Sequence, residues 1–125
     1  MKGDGIRSYI NLMVSDYPGY LKDRDIYSID SLIKKCRLFP KNLQTYCFEG
    51  MVKGHFKTGD VNDKEQLNAQ KLCLDSRLNE EEKDACARMI IKNSYEFYPE
   101  KKANNICNEI KADLTLTCSR ESILK

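Results

Sequence analysis

With 125 residues, the chain has the size of one domain, able to bury a modest core unaided. Its 21 basic and 19 acidic side chains leave a formal net charge of +2, and the doublets Lys34-Lys35 and Lys101-Lys102 read as solvated helix faces, so nucleic acid is not an expected partner. No run approaches the roughly 18 apolar residues needed to span a bilayer.

The N-terminus, Met1 to Ile10, lacks the apolar stretch of a secretory signal peptide, which leaves a mature or truncated chain, or export by another route. A helix-like apolar piece runs from Ile6 to Val14, followed by a turn at Tyr17-Pro18-Gly19-Tyr20 and a helix starting near Ser28 or Asp30. Gly54, Gly59 and Asp60 mark a helix end and a polar turn, after which Asp63 can cap the next helix. Further on, Asn79 is suited to an N-cap. Glu80, Glu81 and Glu82 place negative charge on the first turn, where the helix dipole favours it, and with Asp84 they read as a solvated turn. That helix should finish over Ser94 to Phe97, before the break at Pro99.

Six cysteines, Cys36, Cys47, Cys73, Cys86, Cys107 and Cys118, are separated by 10, 25, 12, 20 and 10 residues. Zinc clips need two thiolates two to four residues apart, and redox catalysis needs C-x-x-C; neither spacing occurs, so three structural disulfides in an oxidising compartment are the expectation. Three segments also overlay: "SLIKKCRLFPKNLQTYCFEGMVKG", "NAQKLCLDSRLNEEEKDACARMIIK" and "KANNICNEIKADLTLTCSRESILK". The first cysteines recur at intervals of 37 and 34 and the second at 39 and 32, within the range of helical-hairpin repeats. Sparse glycine and abundant Lys, Glu, Leu and Ala favour helix, turn, helix in each unit, with breaks at Pro40, at the acidic patch and at Ala112-Asp113, where Asp113 can cap the last helix.

Each cysteine then lies about one turn from a bend, a position that antiparallel helices bring to disulfide range. The expected bridges are Cys36–Cys47, Cys73–Cys86 and Cys107–Cys118, each closing a loop of about a dozen residues and worth about 2.5–3 kcal/mol through chain entropy. The reading is one all-α domain over 1–125, a small solenoid or bundle. It comprises an N-terminal segment at 1–30 carrying a helix, and hairpins at 31–59, 63–98 and 101–125.

In spacing, residues 31–125 resemble the disulfide-stapled helical hairpins of Sel1-like cysteine-rich repeat proteins. They also resemble the twin-cysteine helical hairpins of the mitochondrial intermembrane space, which need no cleaved signal. Insect odorant-binding proteins share six cysteines and helices, but require a C-x3-C pair that is absent here.

Nothing in the sequence assembles a catalytic site. His55 is the only histidine and sits among Gly54, Phe56 and Lys57 at an expected helix end, which suits a surface or capping role. A calcium-like run at Asp60, Asn62 and Lys64 has lysine where an oxygen ligand is required, and no phosphate-binding glycine loop is present, so neither metal nor cofactor is expected. Among the aromatics, Tyr46, Phe48 and Phe56 read as packing, whereas Tyr95, Phe97 and Tyr98 are the candidate binding residues if exposed. The expectation is a non-enzymatic, secreted or periplasmic interaction or scaffold protein with a protein partner. The alternatives are a carrier of a small apolar ligand, or an accessory subunit of an intermembrane-space or envelope assembly.

Overall fold

The computed structural model describes residues 3–57, 63–111 and 114–124. In chain order the helices are α1 (Gly3–Val14), α2 (Tyr17–Asp23), α3 (Ile29–Arg37), α4 (Gln44–Lys57), α5 (Asp63–Cys73), α6 (Glu80–Phe97), α7 (Glu100–Ile110) and α8 (Arg120–Ile123), with a 3-10 turn at Lys41–Leu43 leading into α4. The fold is all-helical, with no strand among the described residues.

The helix starts follow from local chemistry. Ser28 takes the Ser31 N–H at 3.0 Å and begins α3. Asn79 and Glu82 satisfy each other's backbone amides at 2.8 and 2.9 Å, a reciprocal cap on α6. The Tyr17-Pro18-Gly19-Tyr20 stretch, expected as a turn, is instead the start of α2. Proline is tolerated in a first helical turn, and Tyr20 N–H already bonds Asp16 O at 2.9 Å. The turn comes at the other end of α2, where Asp25 adopts φ 57° and Ile26 N–H closes on Leu21 O at 3.0 Å. Gly59 and Asp60, with the rest of 58–62, lie outside the described residues, as do Asp113 and the side chain of Asp63.

Helices α4 and α6 form the centre and run in the same direction. Their starts meet at Arg37, whose guanidinium bonds Gln44 at 2.6 Å and Glu82 at 2.5 and 2.9 Å. At their far ends the Phe56 ring lies 6.3 Å from Phe97 and 5.6 Å from Tyr98. Leu32, Phe48, Met51, Leu72 and Ile90 from α3 to α6 fill one continuous core with Ile10 and Val14 of α1, so the first two hairpins share an interior as a bundle does. A smaller cluster joins Ile91 and Tyr95 of α6 to Ala103 and Cys107 of α7 and to Leu114, Leu116 and Ile123.

The cysteines join as Cys36–Cys47, Cys73–Cys86 and Cys107–Cys118, with Cα separations of 5.4, 5.5 and 5.8 Å. Two bridges staple helix to helix. The third departs from the expected helix, turn, helix: after α7 the chain is non-helical through 114–118, and only the four residues of α8 follow. Leu114, Leu116 and Cys118 are half-buried and alternate with exposed Thr115 and Thr117, the period of an extended segment, and Ser119 caps α8 by taking the Ser122 N–H at 3.2 Å. Arg120 reaches back to the Tyr95 and Tyr98 carbonyls at 2.8 and 3.1 Å, satisfying the open end of α6.

Gly54, expected to end its helix, lies inside α4 and is buried. A Cβ there would overlap Ser15 O and sit 3.0 Å from Pro18 Cδ, and one on Gly50 would lie 2.8 Å from Asn11 O, so these two glycines allow α1 and the start of α2 to lie directly on α4. In an exposed helix Gly→Ala gains about 1 kcal/mol. Here Gly54→Ala should lose about 1–3 kcal/mol, because the obstructing atom is backbone and cannot rotate away. Urea denaturation of the oxidised protein measures this, and a gain in stability would remove the close-packing account.

Candidate functional site

Between α1, α4 and α6 the surface opens into a groove of about 610 Å³. Its walls carry Arg7, Asn11, Glu49, Lys53, Arg88, Lys92 and Glu96, with Tyr46 and Met89 between them. The groove exists because α1 crosses α4 at the two glycines, while α6 keeps its own register with α4 from Arg37 to Phe56.

Polar groups on this wall are buried. Glu49 is 2% exposed and takes both arms of Arg7, with Nε at 2.9 Å from one oxygen and Nη2 on the other. Asn11 donates to Tyr46 O at 2.7 Å and to Glu49 at 3.5 Å, and the Arg7 guanidinium lies 6.0 Å from the Tyr46 ring centre. Asn93 is 1% exposed; its Nδ2 donates to Glu96 at 2.6 Å, while its Oδ1 is buried without a hydrogen-bond partner. At the rim, Arg88 pairs with Asp84 at 2.8 Å.

The acidic patch divides. Glu80, Glu81 and Asp84 are exposed as expected for a solvated turn, but Glu82 is 3% exposed and paired with Arg37. Burial pushes its carboxyl up. Its hydrogen bonds from Arg37 and the Asn79 amide outweigh that, and the net direction is below the ordinary glutamate value.

A second polar pair lies behind α4. His55, expected at the surface, is fully buried, because α4 continues past Gly54 and turns the imidazole inward. Met51 O can only accept, so Nδ1 carries the proton and donates to it at 2.7 Å, and Nε2 accepts from the Tyr27 hydroxyl at 2.6 Å. The Lys22–Glu65 ion pair lies beside them, with Lys22 Nζ 5.2 Å from the Tyr27 ring centre. Burial pushes the imidazole down to about 4, and the same desolvation pushes the Tyr27 hydroxyl up.

The aromatic residues expected to bind a partner do not share a surface. Tyr95 is 0% and Tyr98 4% exposed; Tyr95 donates to Asn104 Oδ1 inside the third unit, and Tyr98 packs in the main core. Only Phe97 is exposed, at 45%, stacked on Phe56. The correction is one of helix geometry: residues 95 and 98 fall on the buried side of the turn that ends α6, and 97 on the other. Reasoning from sequence missed Asn11, Glu49 and Asn93, whose signal was a polar residue at an otherwise apolar helix position. Asp60 and Asn62 of the calcium-like run lie outside the described residues. Among the described residues no group of three or more His, Cys, Asp or Glu is placed to hold a metal ion.

His55 generates a pH prediction. The unfolded chain takes up its imidazole proton near pH 6.5 and the folded chain only near 4, so stability is intact above about 6.5 and lost as pH falls through that window, by up to about 3 kcal/mol. As the only histidine, its ring protons give a single NMR titration; a midpoint near 6.5 in the folded state would contradict the burial argument.

No family model, curated protein or solved structure matches this chain.

Proposed function

We propose that this protein is a non-catalytic interaction protein of an oxidising, extracytoplasmic compartment, and that it meets a protein partner through the outer face of α1. The observation that carries this reading is the two-sidedness of α1. Ile10 and Val14 are buried against α4, while Ile6, Tyr9, Leu12 and Met13 on the other sides are 47, 65, 63 and 49% exposed. Such clustering of large apolar side chains marks interaction sites on small proteins, and tyrosine and methionine are enriched at them.

Three disulfides consuming all six cysteines support a secreted or periplasmic location, with the intermembrane space as the second candidate. Among the described residues no helix is long and apolar enough to cross a membrane. The non-catalytic reading is supported by His55, buried with both ring nitrogens engaged. An interior filled by Tyr95, Phe48, Leu32 and Met51 favours an interaction protein over a carrier of apolar ligands.

The double substitution Tyr9→Gln with Met13→Gln tests the reading. These side chains are exposed, so stability should stay within about 0.5 kcal/mol of the parent. Chemical cross-linking in the medium or envelope fraction of the native cell should trap a discrete partner with the parent chain, and at least about tenfold less with the variant. Equal cross-linking by both would refute the α1 face. Saturable uptake of a fluorescent fatty acid by the delipidated protein would point to the carrier instead.

A further inference from the structure

The six cysteines differ in their access to solvent. Cys36, Cys47, Cys86 and Cys107 are 0% exposed and Cys73 is 5% exposed, whereas Cys118 is half-buried. A thiolate must reach one sulfur of a disulfide to attack it, so a bridge whose two cysteines are both buried exchanges slowly. Cys36–Cys47 and Cys73–Cys86 are of that kind and lie in the main core. Cys107–Cys118 offers its Cys118 side from a non-helical arm, next to exposed Thr117.

Apart from this bridge the arm is lightly attached. Among the described residues its backbone hydrogen bonds over 114–119 are local, from Leu114 N–H to Lys111 O at 2.6 Å and from Ser119 N–H to Thr117 O at 3.0 Å. Half-buried Leu114, Leu116 and Ile123 cover the cluster of Ile91, Tyr95 and Ala103. The Arg120 guanidinium donates to the Tyr95 and Tyr98 carbonyls at 2.8 and 3.1 Å, and its amide donates to Glu100 at 3.3 Å. Those carbonyls belong to the last turn and cap of α6, where water takes the place of a departing guanidinium. Helix α7 has its own hold on the bundle, through Ile106 in the main core and the Tyr95 hydroxyl on Asn104.

We propose that Cys107–Cys118 is a thiol-exchange site, at which a small thiol of the glutathione class releases the arm 114–124 and bares the face formed by Ile91, Tyr95 and Ala103. One thiolate attacks Cys118 Sγ, the Cys107–Cys118 bond breaks, and the electron pair leaves on Cys107 Sγ, which takes up a proton. A second thiolate attacks the outer sulfur of the mixed disulfide and frees Cys118, which is protonated in turn. The protein gains two electrons and the two protons that the thiols give up, and the two thiols are oxidised to one disulfide. With the bond gone, closure of the arm rests on its few apolar contacts and Arg120, an order–disorder equilibrium confined to the third unit. The bared face is apolar, so exchange gives the molecule a second apolar surface. It is separate from the outer face of α1, and either reading can fail without the other.

The test exposes the full oxidised protein to reduced glutathione, quenches with iodoacetamide and maps the labelled cysteines by peptide mass. Cys107 and Cys118 should become alkylatable at least about tenfold faster than the other cysteines. The mixed disulfide caught at early times should sit on Cys118, and transfer to oxidised glutathione should re-form the bridge. Hydrogen exchange of the singly reduced protein should show at least about tenfold less protection of the Ile123 and Leu124 amides, with α4 unchanged. Cys107→Ala with Cys118→Ala should reproduce that open arm without reductant and bind more of an apolar fluorescent dye than the oxidised parent. Tyr9→Gln with Met13→Gln should leave the rate of reduction unchanged. The proposal is overturned if either core bridge is reduced first or equally fast, or if the mixed disulfide forms on Cys107. Arm amides that stay protected once the bridge is cut, or protection lost throughout the chain, would overturn it as well.

Discussion

One guanidinium holds the two larger hairpins in register. Arg37 follows Cys36 at the end of α3 and packs 5.1 Å from the Phe48 ring centre. From there it bonds Gln44 at the start of α4, Arg77 O in the turn before α6, and both oxygens of Glu82 in the first turn of α6. Glu82 is at the same time one half of the cap that starts α6. A disulfide fixes where Arg37 begins, a cap fixes where Glu82 ends, and the ion pair connects the two hairpins at one level. The cost of burying Glu82 is offset by charge-assisted hydrogen bonds to its carboxylate from Arg37 and from the Asn79 amide. With α4 and α6 fixed side by side, the position of α1 follows from Gly50 and Gly54, and the groove is the space that remains between the three.

The three staples act on unequal units. Cys36–Cys47 and Cys73–Cys86 constrain hairpins whose faces are already merged into one core, so each adds to a cooperative interior. Cys107–Cys118 holds a largely non-helical arm against a small separate cluster. Arg120 also ties the arm to the end of α6 and to Glu100, while the Tyr95–Asn104 hydrogen bond ties α7 to α6. Regions with few buried contacts open at lower free energy than the core, which places local opening of this molecule in the third unit, away from both the α1 face and most of the groove.

What could be seen in the sequence was chemistry that is complete within a few residues. Asn79 with Glu82, Ser28 before α3 and the paired cysteine spacing all concern partners at most 13 positions apart. Pro18 misled because proline marks turns and first helical turns alike, and Gly54 because a glycine needed for close approach looks the same as one that ends a helix. The third arm was legible in principle: Leu-Thr-Leu-Thr-Cys alternates with period two, but the repeat alignment imposed a helix on it. The groove was not legible. Arg7 and Glu49 are 42 positions apart, and no local rule says that the one polar residue among Cys47, Phe48 and Met51 faces a charge from another helix.

The buried polar groups also explain why the staples matter to more than stability. Glu49, Asn11 and Asn93 are polar side chains in buried places that packing alone would give to apolar ones, and His55 is held neutral inside the core at the cost of acid tolerance. A small domain has little net stability to spend on such positions. Bridges that restrict the unfolded chain raise that stability without occupying the surface or altering the packing of the groove. The disulfides and the polar wall are therefore linked: the first lets the fold carry the second, and the second is where the sequence departs from what packing alone would select.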